Sequence, residues 1–274
     1  MRPDTSTLAT GHGEQPWLDR HTLRPRGLPQ TVGACMSLRT GGTSPAPWQS
    51  FNLGDHVGDD PARVAHHRDV LARAVGHPLC FVNQVHGTGV VRWHPPGHAV
   101  QQADAMWSDA QGEACVIMVA DCLPVLWWDQ QGQVVAASHA GWRGLLGQGG
   151  VGVLEATHAQ LQRRAPQSIW HAWLGPCIGP LAFEVGAEVR AAFEQDHPQW
   201  VAFFQPHPRH AGKWLADLPG MARARMKQLG VEQVGGNDGS AQWCTHSEAR
   251  YFSHRRDGSP RGTGRMAAVI WRQA

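Results

Sequence analysis

The sequence lacks the signals that place a protein in a membrane, in a secretory pathway or in a disulfide-stapled class. No uninterrupted apolar run approaches the roughly 20 residues of a membrane span, and the N-terminal stretch MRPDTSTLATGHGEQPW has no apolar core of the kind a signal peptide needs. The six cysteines include no C-x-x-C pair, which excludes a zinc ribbon or a thioredoxin-type site on spacing. These absences predict a cytoplasmic protein without a membrane segment and without a need for disulfides.

A strong charge of either sign is also missing. The 24 Lys and Arg residues nearly balance the 22 Asp and Glu residues, so the formal net charge is only +2. A charge this small gives no basic field that would predict nucleic-acid binding. What is present is ordinary for a globular protein of 274 residues, with 42% hydrophobic residues, and such a chain is long enough to bury a large core.

Short apolar runs typical of β-strands alternate along the chain with longer segments of helical periodicity. The run ACVIMV is apolar throughout, which predicts a strand buried on both faces, and another strand is expected over Cys80–Val85. Caps, first-turn prolines and terminal glycines predict helices at about 60–76 and 217–230, and another helix is expected after the GWRG turn, at about 150–164. The alternation favours an α/β fold, with one domain over residues 18–274 after a flexible N-terminus over residues 1–17.

The segment VADCLPVLWWDQQGQVVAASHAGWRG carries a thiol and an imidazole at the two ends of a predicted hairpin. If its strands pair through Asp129 and Val134, His139 lies opposite Pro124 or its neighbour, and Cys122 lies at the same end of the hairpin. We expect Pro124 to end the strand ladder there. The two side chains could then reach one metal ion or each other. The alternative from the residues alone is a small buried cysteine and a hydrogen-bonded core histidine.

Three other segments carry polar residues in patterns suited to binding. The motif NQVHG places His86 at a predicted strand end before a glycine, as in the motif of His139. The loop RTGGTSPAPWQSFNLGDHVGDDP contains Arg39 and Asn52 among glycines, which suits the binding of an oxyanion by exposed backbone N–H groups. Near the C-terminus lie four arginines, Arg250, Arg255, Arg256 and Arg265. Without further context, a structural histidine, a surface turn and a solvated basic loop are the better explanations of these segments.

Taken together and in this order, the motifs resemble the YfiH-like family, whose members are described as laccase-domain proteins, polyphenol oxidases, peptidoglycan-editing factors and purine nucleoside phosphorylases. The resemblance covers about residues 33–272 and rests on RTGGTS, FNLGDHVGDDP, NQVHG, ADAMWSD, VADCLPVL, SHAGWRG, LGPCIGPLAFEVG, ADLPGMARARMKQLGV and YFSHRRDG. It implies a layered mixed β-sheet sandwich flanked by helices, similar to the catalytic domain of cytotoxic necrotizing factors. It also implies a zinc site formed by His86, Cys122 and His139.

The resemblance implies a function for that site. Three protein ligands leave a fourth zinc position open, which is typical of catalytic zinc. The implied activity is phosphorolysis of adenosine, inosine and methylthioadenosine, with adenosine deamination, so the expected partners are a purine nucleoside and phosphate. Guanidinium groups match phosphate oxygens in pairs. We therefore expect Arg143 to act with Cys122 and His139 in catalysis, and the substrate to be bound by three further residues, Arg39, Asn52 and Arg256.

Three other functions remain open at this point. In the first, Cys122 is the nucleophile and His139 the base of a cysteine hydrolase acting on peptidoglycan precursors. In the second, the site holds copper and oxidises polyphenols, although the chain has no H-x-H pair for a histidine-rich copper cluster. In the third, the zinc is structural and Cys177 is its fourth ligand.

Overall fold

The computed structural model describes residues 15–97, 99–196, 198–258 and 262–273. The helices are α1 (Gln15–His21), α2 (Pro61–Val75), α3 (Trp142–Leu146), α4 (Val153–Arg164), α5 (Ala187–Asp196), α6 (Leu218–Gln228) and α7 (His254–Asp257), with 3-10 turns at Pro198–Phe203 and Ala241–Trp243. The strands are β1 (Thr22–Leu23), β2 (Val32–Ser37), β3 (Leu79–Cys80), β4 (Val90–Arg92), β5 (Ala105–Ser108), β6 (Ala114–Val119), β7 (Leu123–Asp129), β8 (Val135–Ala140), β9 (Trp170–Leu174), β10 (Glu184–Gly186), β11 (Phe204–Pro206), β12 (Lys213–Ala216), β13 (Gln233–Gly236) and β14 (Met266–Arg272). Most of the N-terminus expected to be flexible, residues 1–14, lies outside the described residues, and α1 begins at Gln15.

The strands form three sheets. A five-stranded sheet has the order β1-β2-β14-β6-β3, a six-stranded sheet has the order β13-β9-β7-β8-β5-β4, and a three-stranded sheet has the order β10-β12-β11. Parallel and antiparallel neighbours occur in both large sheets; β9 pairs with β13 in parallel and with β7 in antiparallel orientation. The expected mixed α/β architecture is therefore confirmed.

The two large sheets pack face to face, and helices cover their outer faces. Ile117 and Ile270 of the five-stranded sheet share one buried cluster with Leu126 and Trp173 of the six-stranded sheet. Alternate residues of β6 and β14 point the other way and pack against α1 and α2. The opposite face of the six-stranded sheet packs against α4, α5 and α6. Each central strand therefore buries both faces, which explains the continuous apolar runs such as ACVIMV.

The hairpin of β7 and β8 has the predicted register. His139 pairs with Pro124, and the N–H of Asp129 donates to the carbonyl of Val134. The expectation that Pro124 ends the ladder is wrong, because Leu123 continues the pairing with Ala140. Proline has no N–H to donate, but the carbonyl of Gly175 beside it accepts the side-chain amide of Asn237 instead, and the Pro124 carbonyl accepts the N–H of Gly175.

The helices follow their end signals. The carboxylate of Asp60 accepts the N–H of Ala62 at the start of α2, and Gly76 ends it in the left-handed conformation. Helix α6 begins after Asp217 as expected. Helix α4 begins three residues later than predicted, after Gly152, whose N–H donates to the Glu155 side chain. No helix among the described residues is long and apolar enough to cross a membrane.

The strand predicted over Cys80–Val85 is wrong beyond its first residue, because β3 ends at Cys80. The side-chain amide of Gln84 bonds to both the N–H and the carbonyl of Met118, at 2.7 and 2.8 Å. These are the backbone groups that a longer strand would have paired. The chain therefore leaves the sheet before His86, which reaches the site on a turn.

Candidate metal centre

Three side chains that are far apart in the sequence meet beside one end of the β7–β8 hairpin. Cys122 lies in the turn between β6 and β7, His139 lies in β8, and His86 lies on the turn after β3. One donor atom of each lies within 4.8 Å of the other two. The structure thus brings together the three residues for which the sequence predicted a metal site.

The distance between the donor atoms of Cys122 and His86 is close to that around a tetrahedral ion. The Sγ atom of Cys122 lies 3.8 Å from Nε2 of His86, and the rings of His86 and His139 have centroids 4.8 Å apart. A thiolate and an imidazole bound to one zinc ion at tetrahedral angles lie roughly 3.6 Å apart, given bonds of about 2.3 and 2.0 Å. The donor set of two imidazoles and one thiolate suits zinc and also copper.

A buried carboxylate supports both histidines. Asp104 is fully buried directly before β5, and its Oδ1 atom lies 2.8 Å from Nδ1 of His139. Because a carboxylate only accepts, the Nδ1 atom of His139 carries the proton, and Nε2 faces the site. The same carboxylate accepts the backbone N–H groups of Val85, His86 and Gly87, at 3.2, 2.9 and 2.6 Å. One side chain therefore orients two candidate metal ligands.

Two of the turns that present the ligands are strained. His86 has a φ of +60° and Asp121, directly before Cys122, has a φ of +86°. Such conformations cost roughly 1 to 3 kcal/mol for residues other than glycine. At Asp121 the cost is offset because its carboxylate accepts the hydroxyl of Thr245 and the N–H of Arg255, while its carbonyl accepts the N–H of Ile178. Backbone strain is thus concentrated at the residues that aim the donor atoms.

Gly141 makes room for the three side chains. A Cβ atom at this position would lie 2.9 Å from the Sγ atom of Cys122 and 3.2 Å from Cδ2 of His86. The first distance is shorter than any normal carbon–sulfur contact, so a larger residue would displace the thiol. The motif SHAGWRG therefore supplies both a donor and the space beside it.

The electrostatics of the site favour a thiolate. Burial opposes ionisation of Cys122, but the positive charge and hydrogen bonding of His139 and His86 outweigh burial and lower the pKa of the thiol. Burial likewise opposes a charged His139, yet the Cys122 thiolate and Asp104 raise the pKa of this imidazole. Without a metal, the two residues thus favour a thiolate–imidazolium pair. A metal ion would take the place of the Nε2 proton of His139.

The three residues line a cavity of about 590 Å³. Ligand cavities usually measure about 300 to 1,000 Å³. Its wall contains aromatic rings and cationic side chains, among them Phe81, Trp142, Phe183, Arg68, Arg143, Arg255 and Arg265. The cavity therefore has the size and the lining to bind an aromatic ligand, an anionic ligand, or a ligand together with phosphate.

The cations of the wall differ in how strongly they are engaged. Arg68 forms an ion pair with Asp55 and lies 4.0 Å from the ring centroid of Phe81. The NH1 group of Arg265 donates to the carbonyls of Thr263 and Gly264. Within the described part of the chain, the exposed guanidinium of Arg143 has no hydrogen-bond or ion-pair partner and lies against the ring of Trp142, at 4.4 Å. Arg143 is thus available to a ligand.

Arg39, Asn52 and Arg256, which the sequence suggested as substrate-binding residues, lie outside this cavity. Arg39 donates to the carbonyl of Gln49 and to Asp257, 218 positions away in the sequence. The guanidinium of Arg256 donates to Asp257 and to a set of backbone carbonyls, those of Thr245, His246, Glu248 and Tyr251. These arginines therefore hold loops together.

Asn52 also has a structural role. Its side chain is fully buried, donates to the carbonyl of Gly54 and to Asp59, and accepts the N–H groups of Gly54 and Arg265. Asn52 thereby fixes the backbone of Arg265, which does line the cavity.

Sequence reasoning missed the part played by Asp104. Its only signal is the motif ADAMWSD, in which an aspartate precedes a strand without capping a helix. The sequence also groups Arg255 and Arg265 with Arg250 and Arg256 in one basic loop. The contacts that distinguish them are long-range. No local pattern distinguishes these four arginines.

Comparison with known proteins identifies the family of this chain. The family model described as multi-copper polyphenol oxidoreductase laccase matches residues 33–273. The purine nucleoside phosphorylase YfiH of Shigella flexneri is 46% identical over 248 residues, covering 89% of this chain and 95% of that protein. A purine nucleoside phosphorylase of Haemophilus influenzae is 42% identical over 248 residues, covering 89% and 96%.

Solved structures show the same fold. The crystal structure of a Neisseria meningitidis protein superposes with a TM-score of 0.83 at 41% identity, covering 93% of this chain and all of that one. The structure of YlmD from Geobacillus stearothermophilus superposes with a TM-score of 0.78 at 27% identity, covering 93% and 97%. The likeness to cytotoxic necrotizing factors stays a prediction. Because the family model, the relatives and the fold all agree, this chain belongs to the YfiH-like, multi-copper polyphenol oxidoreductase laccase family.

Proposed function

We propose that this chain is a zinc-dependent purine nucleoside phosphorylase whose active site is the cavity beside His86, Cys122 and His139. The observation that carries the proposal is the position of this three-ligand cluster, open to a cavity that also contains aromatic rings and the guanidinium of Arg143, which has no hydrogen-bond or ion-pair partner among the described residues. The names of the relatives support the substrate class, since several of them are called purine nucleoside phosphorylases.

The metal follows from the donor set. His86, Cys122 and His139 would hold the ion and leave a coordination position that faces the cavity, which is the arrangement of catalytic zinc. A zinc ion there would supply a Lewis acid beside the bound nucleoside. Asp104 keeps the proton of His139 on Nδ1, so that Nε2 is available to the ion.

The apolar part of the wall suits a purine base. Phe81, Trp142 and Phe183 line the cavity, and aromatic rings favour stacked or edge-on contact with a planar base. Such contacts hold the base in place while the N-glycosidic bond is broken. A nucleoside oriented in this way reacts faster because much of its motional freedom is already lost.

The cations suit phosphate. In phosphorolysis, a phosphate oxygen forms a bond to the anomeric carbon, and the base leaves with the electrons of the glycosidic bond and takes up a proton. Arg143 and Arg265 line the same cavity as the ligand cluster, and guanidinium groups bind phosphate through paired hydrogen bonds. We assign them to phosphate. Their charge also offsets the negative charge that the nucleophile brings into a partly apolar space.

A cysteine hydrolase acting on peptidoglycan precursors is the second candidate. It is favoured by one observation, that Cys122, His139 and Asp104 have the order of contacts found in a thiolate–imidazole–carboxylate triad. In this alternative, Cys122 attacks a carbonyl and His139 gives a proton to the leaving group. The lowered pKa of Cys122 suits either role, so the choice depends on whether the thiol is bound to a metal.

The proposal is tested by incubating zinc-loaded protein with inosine in buffers with and without phosphate. We expect release of hypoxanthine only with phosphate, together with equimolar ribose 1-phosphate. Adenosine in parallel measures whether deamination also occurs, since inosine then forms before the base is released. His139→Ala is the inactive control. Base release that is equally fast without phosphate, or no release of base from either nucleoside, would contradict phosphorolysis.

A further inference from the structure

A second group of metal-binding side chains lies in the three-stranded sheet. Glu184 opens β10, His207 follows β11, and His210 lies in the turn that leads to β12. Strand β12 is central and pairs with both neighbours, which brings the start of β10 and the end of β11 to one side of the molecule. Within the described residues, this is the second of two groups of His, Cys, Asp or Glu whose donor atoms all lie within 4.8 Å.

The two histidines converge on one carboxylate oxygen. The Oε2 atom of Glu184 lies 3.3 Å from Nε2 of His207 and is in contact with Nδ1 of His210. The two imidazole rings are stacked, with centroids 4.3 Å apart and an angle of 3° between their planes. Two ligand atoms on a tetrahedral zinc ion lie roughly 3.3 Å apart when each bond is about 2.0 Å. Both contacts of Glu184 are thus already at or inside coordination spacing, and the donor atoms of the two histidines lie within 4.8 Å of each other.

The turn is held in shape by its own backbone. The N–H of His207 donates to the carbonyl of Lys213, and the N–H of Lys213 donates to the carbonyl of His210. These bonds fix both ends of the turn, so its two histidines need no ion to lie side by side. The turn itself is exposed, so its amides can bond to water when its side chains rearrange.

We propose that Glu184, His207 and His210 form a second metal site, separate from the cluster at Cys122, which binds a divalent transition cation such as Zn²⁺, Co²⁺ or Ni²⁺. Two imidazoles favour these ions over Mg²⁺ and Ca²⁺, which prefer oxygen ligands. The Nδ1 atom of His207 now accepts the N–H groups of Arg209 and His210. Ligation through Nε2 moves the ring proton to Nδ1, so these two contacts give way to water when the ion binds.

An ion at this site would stiffen one wall of the main cavity. Glu184 follows Phe183, which lines that cavity, and its carbonyl accepts a hydrogen bond from the guanidinium of Arg255. The backbone N–H of Arg255 in turn donates to Asp121, beside Cys122. Contacts therefore connect the second site to the turn that carries Cys122.

Cobalt(II) separates the two sites, because only the Cys122 cluster has a thiolate to give an intense near-ultraviolet charge-transfer band. Tag-free, metal-free protein is titrated with Co²⁺, and bound metal is counted after gel filtration. We expect two equivalents in the wild-type protein. Glu184→Gln and His210→Ala should each bind one equivalent and keep the band, whereas Cys122→Ser should bind one equivalent without it. His66→Ala, which removes an exposed histidine from α2, should keep both.

Thermal unfolding gives an independent readout. The second equivalent should raise the melting temperature of the wild-type protein and leave that of His210→Ala unchanged, since only binding to the folded state stabilises it. A wild-type protein that saturates at one equivalent, or Glu184 and His210 variants that bind either two equivalents or none, would overturn the proposal. Saturation at one equivalent would mean that Glu184 and the two histidines form an ion pair and do not bind a metal.

Discussion

The Oδ1 atom of Asp104 lies 2.8 Å from Nδ1 of His139 and also accepts the backbone N–H of His86, at 2.9 Å. A residue that binds no metal therefore positions two of the three candidate ligands. Its own pKa supports this role: burial raises it, but the bonds from His139 and from the turn of Gly87 and His86 outweigh burial and lower it. Asp104 stays ionised and acts only as an acceptor.

Asp104→Asn should weaken zinc binding by roughly 10- to 100-fold, the range typical of a lost partner behind a metal ligand. The amide has the shape of the carboxylate but carries an N–H donor in place of one acceptor oxygen. Four N–H groups already point at this side chain, so the new donor would face another donor. Zinc affinity measured by competition with a chromophoric chelator checks this. Asp109→Asn, the same change at a partly buried carboxylate paired with Arg92 and Arg164, should leave the affinity unchanged. Equal affinity in both variants would show that Asp104 does not position the site.

Gly141→Ala should also weaken zinc binding, by at least about tenfold. The backbone of Gly141 has a φ of −70°, which alanine adopts freely, so the effect comes from the contacts with Cys122 and His86. Gly87→Ala is the matched control, because a Cβ atom there lies 3.6 Å from its nearest neighbours, an ordinary contact. The same competition assay measures both. Similar losses in the two variants would point to a general disturbance of the turns.

Alkylation of Cys122 distinguishes the metal-ligand role from the nucleophile role. If the thiolate is bound to zinc, labelling by iodoacetamide should be slow in the zinc-loaded protein and faster after a chelator removes the ion. Mass spectrometry of the labelled peptide gives both rates. Fast labelling of the zinc-loaded protein that abolishes activity without loss of zinc would favour the cysteine hydrolase.

Arg143→Ala should raise the KM for phosphate and leave the KM for inosine nearly unchanged. The loss of a paired hydrogen bond to a charged group costs about 1.5 to 3 kcal/mol, which corresponds to roughly 10- to 150-fold. Initial rates at varied phosphate and at varied inosine measure the two constants. Arg39→Ala, which removes a guanidinium outside the cavity, should change neither. A larger effect from Arg39→Ala would instead indicate that phosphate binds at the loop of Arg39, as the sequence suggested.

Asp257→Asn should lower the stability of the protein in a pH-dependent way. Burial raises the pKa of Asp257, but Arg256 and Arg39 outweigh burial and hold it below its ordinary value. A carboxyl group of this kind stabilises the fold fully above its unfolded pKa, about 3.9, and loses that contribution as pH falls through the folded value. The melting temperatures of the two proteins should therefore differ at neutral pH and converge below about pH 4. Asp69→Asn, in an exposed pair with Arg73, should have little effect at any pH.

Several features could be predicted from sequence because their causes are local. Helix α2 begins and ends at signals within a few residues of it, Asp60 and Gly76. The register of the β7–β8 hairpin follows from a short connection, which places His139 beside Cys122. The length of β3 was not predictable in this way, because the groups that end it belong to Gln84 and Met118, 34 positions apart.

The sequence by itself determined the α/β class, the hairpin and the three candidate ligands, since periodicity, caps and motif order are written in neighbouring residues. Only the tertiary structure decided which cations face the cavity. Arg39 and Arg265 both lie among glycines in the sequence, yet Arg39 bonds to Asp257, 218 positions away, while Asn52 anchors Arg265 from 213 positions away. A side chain becomes a ligand-binding group when folding leaves its donors without protein partners, and those partners come from distant parts of the chain.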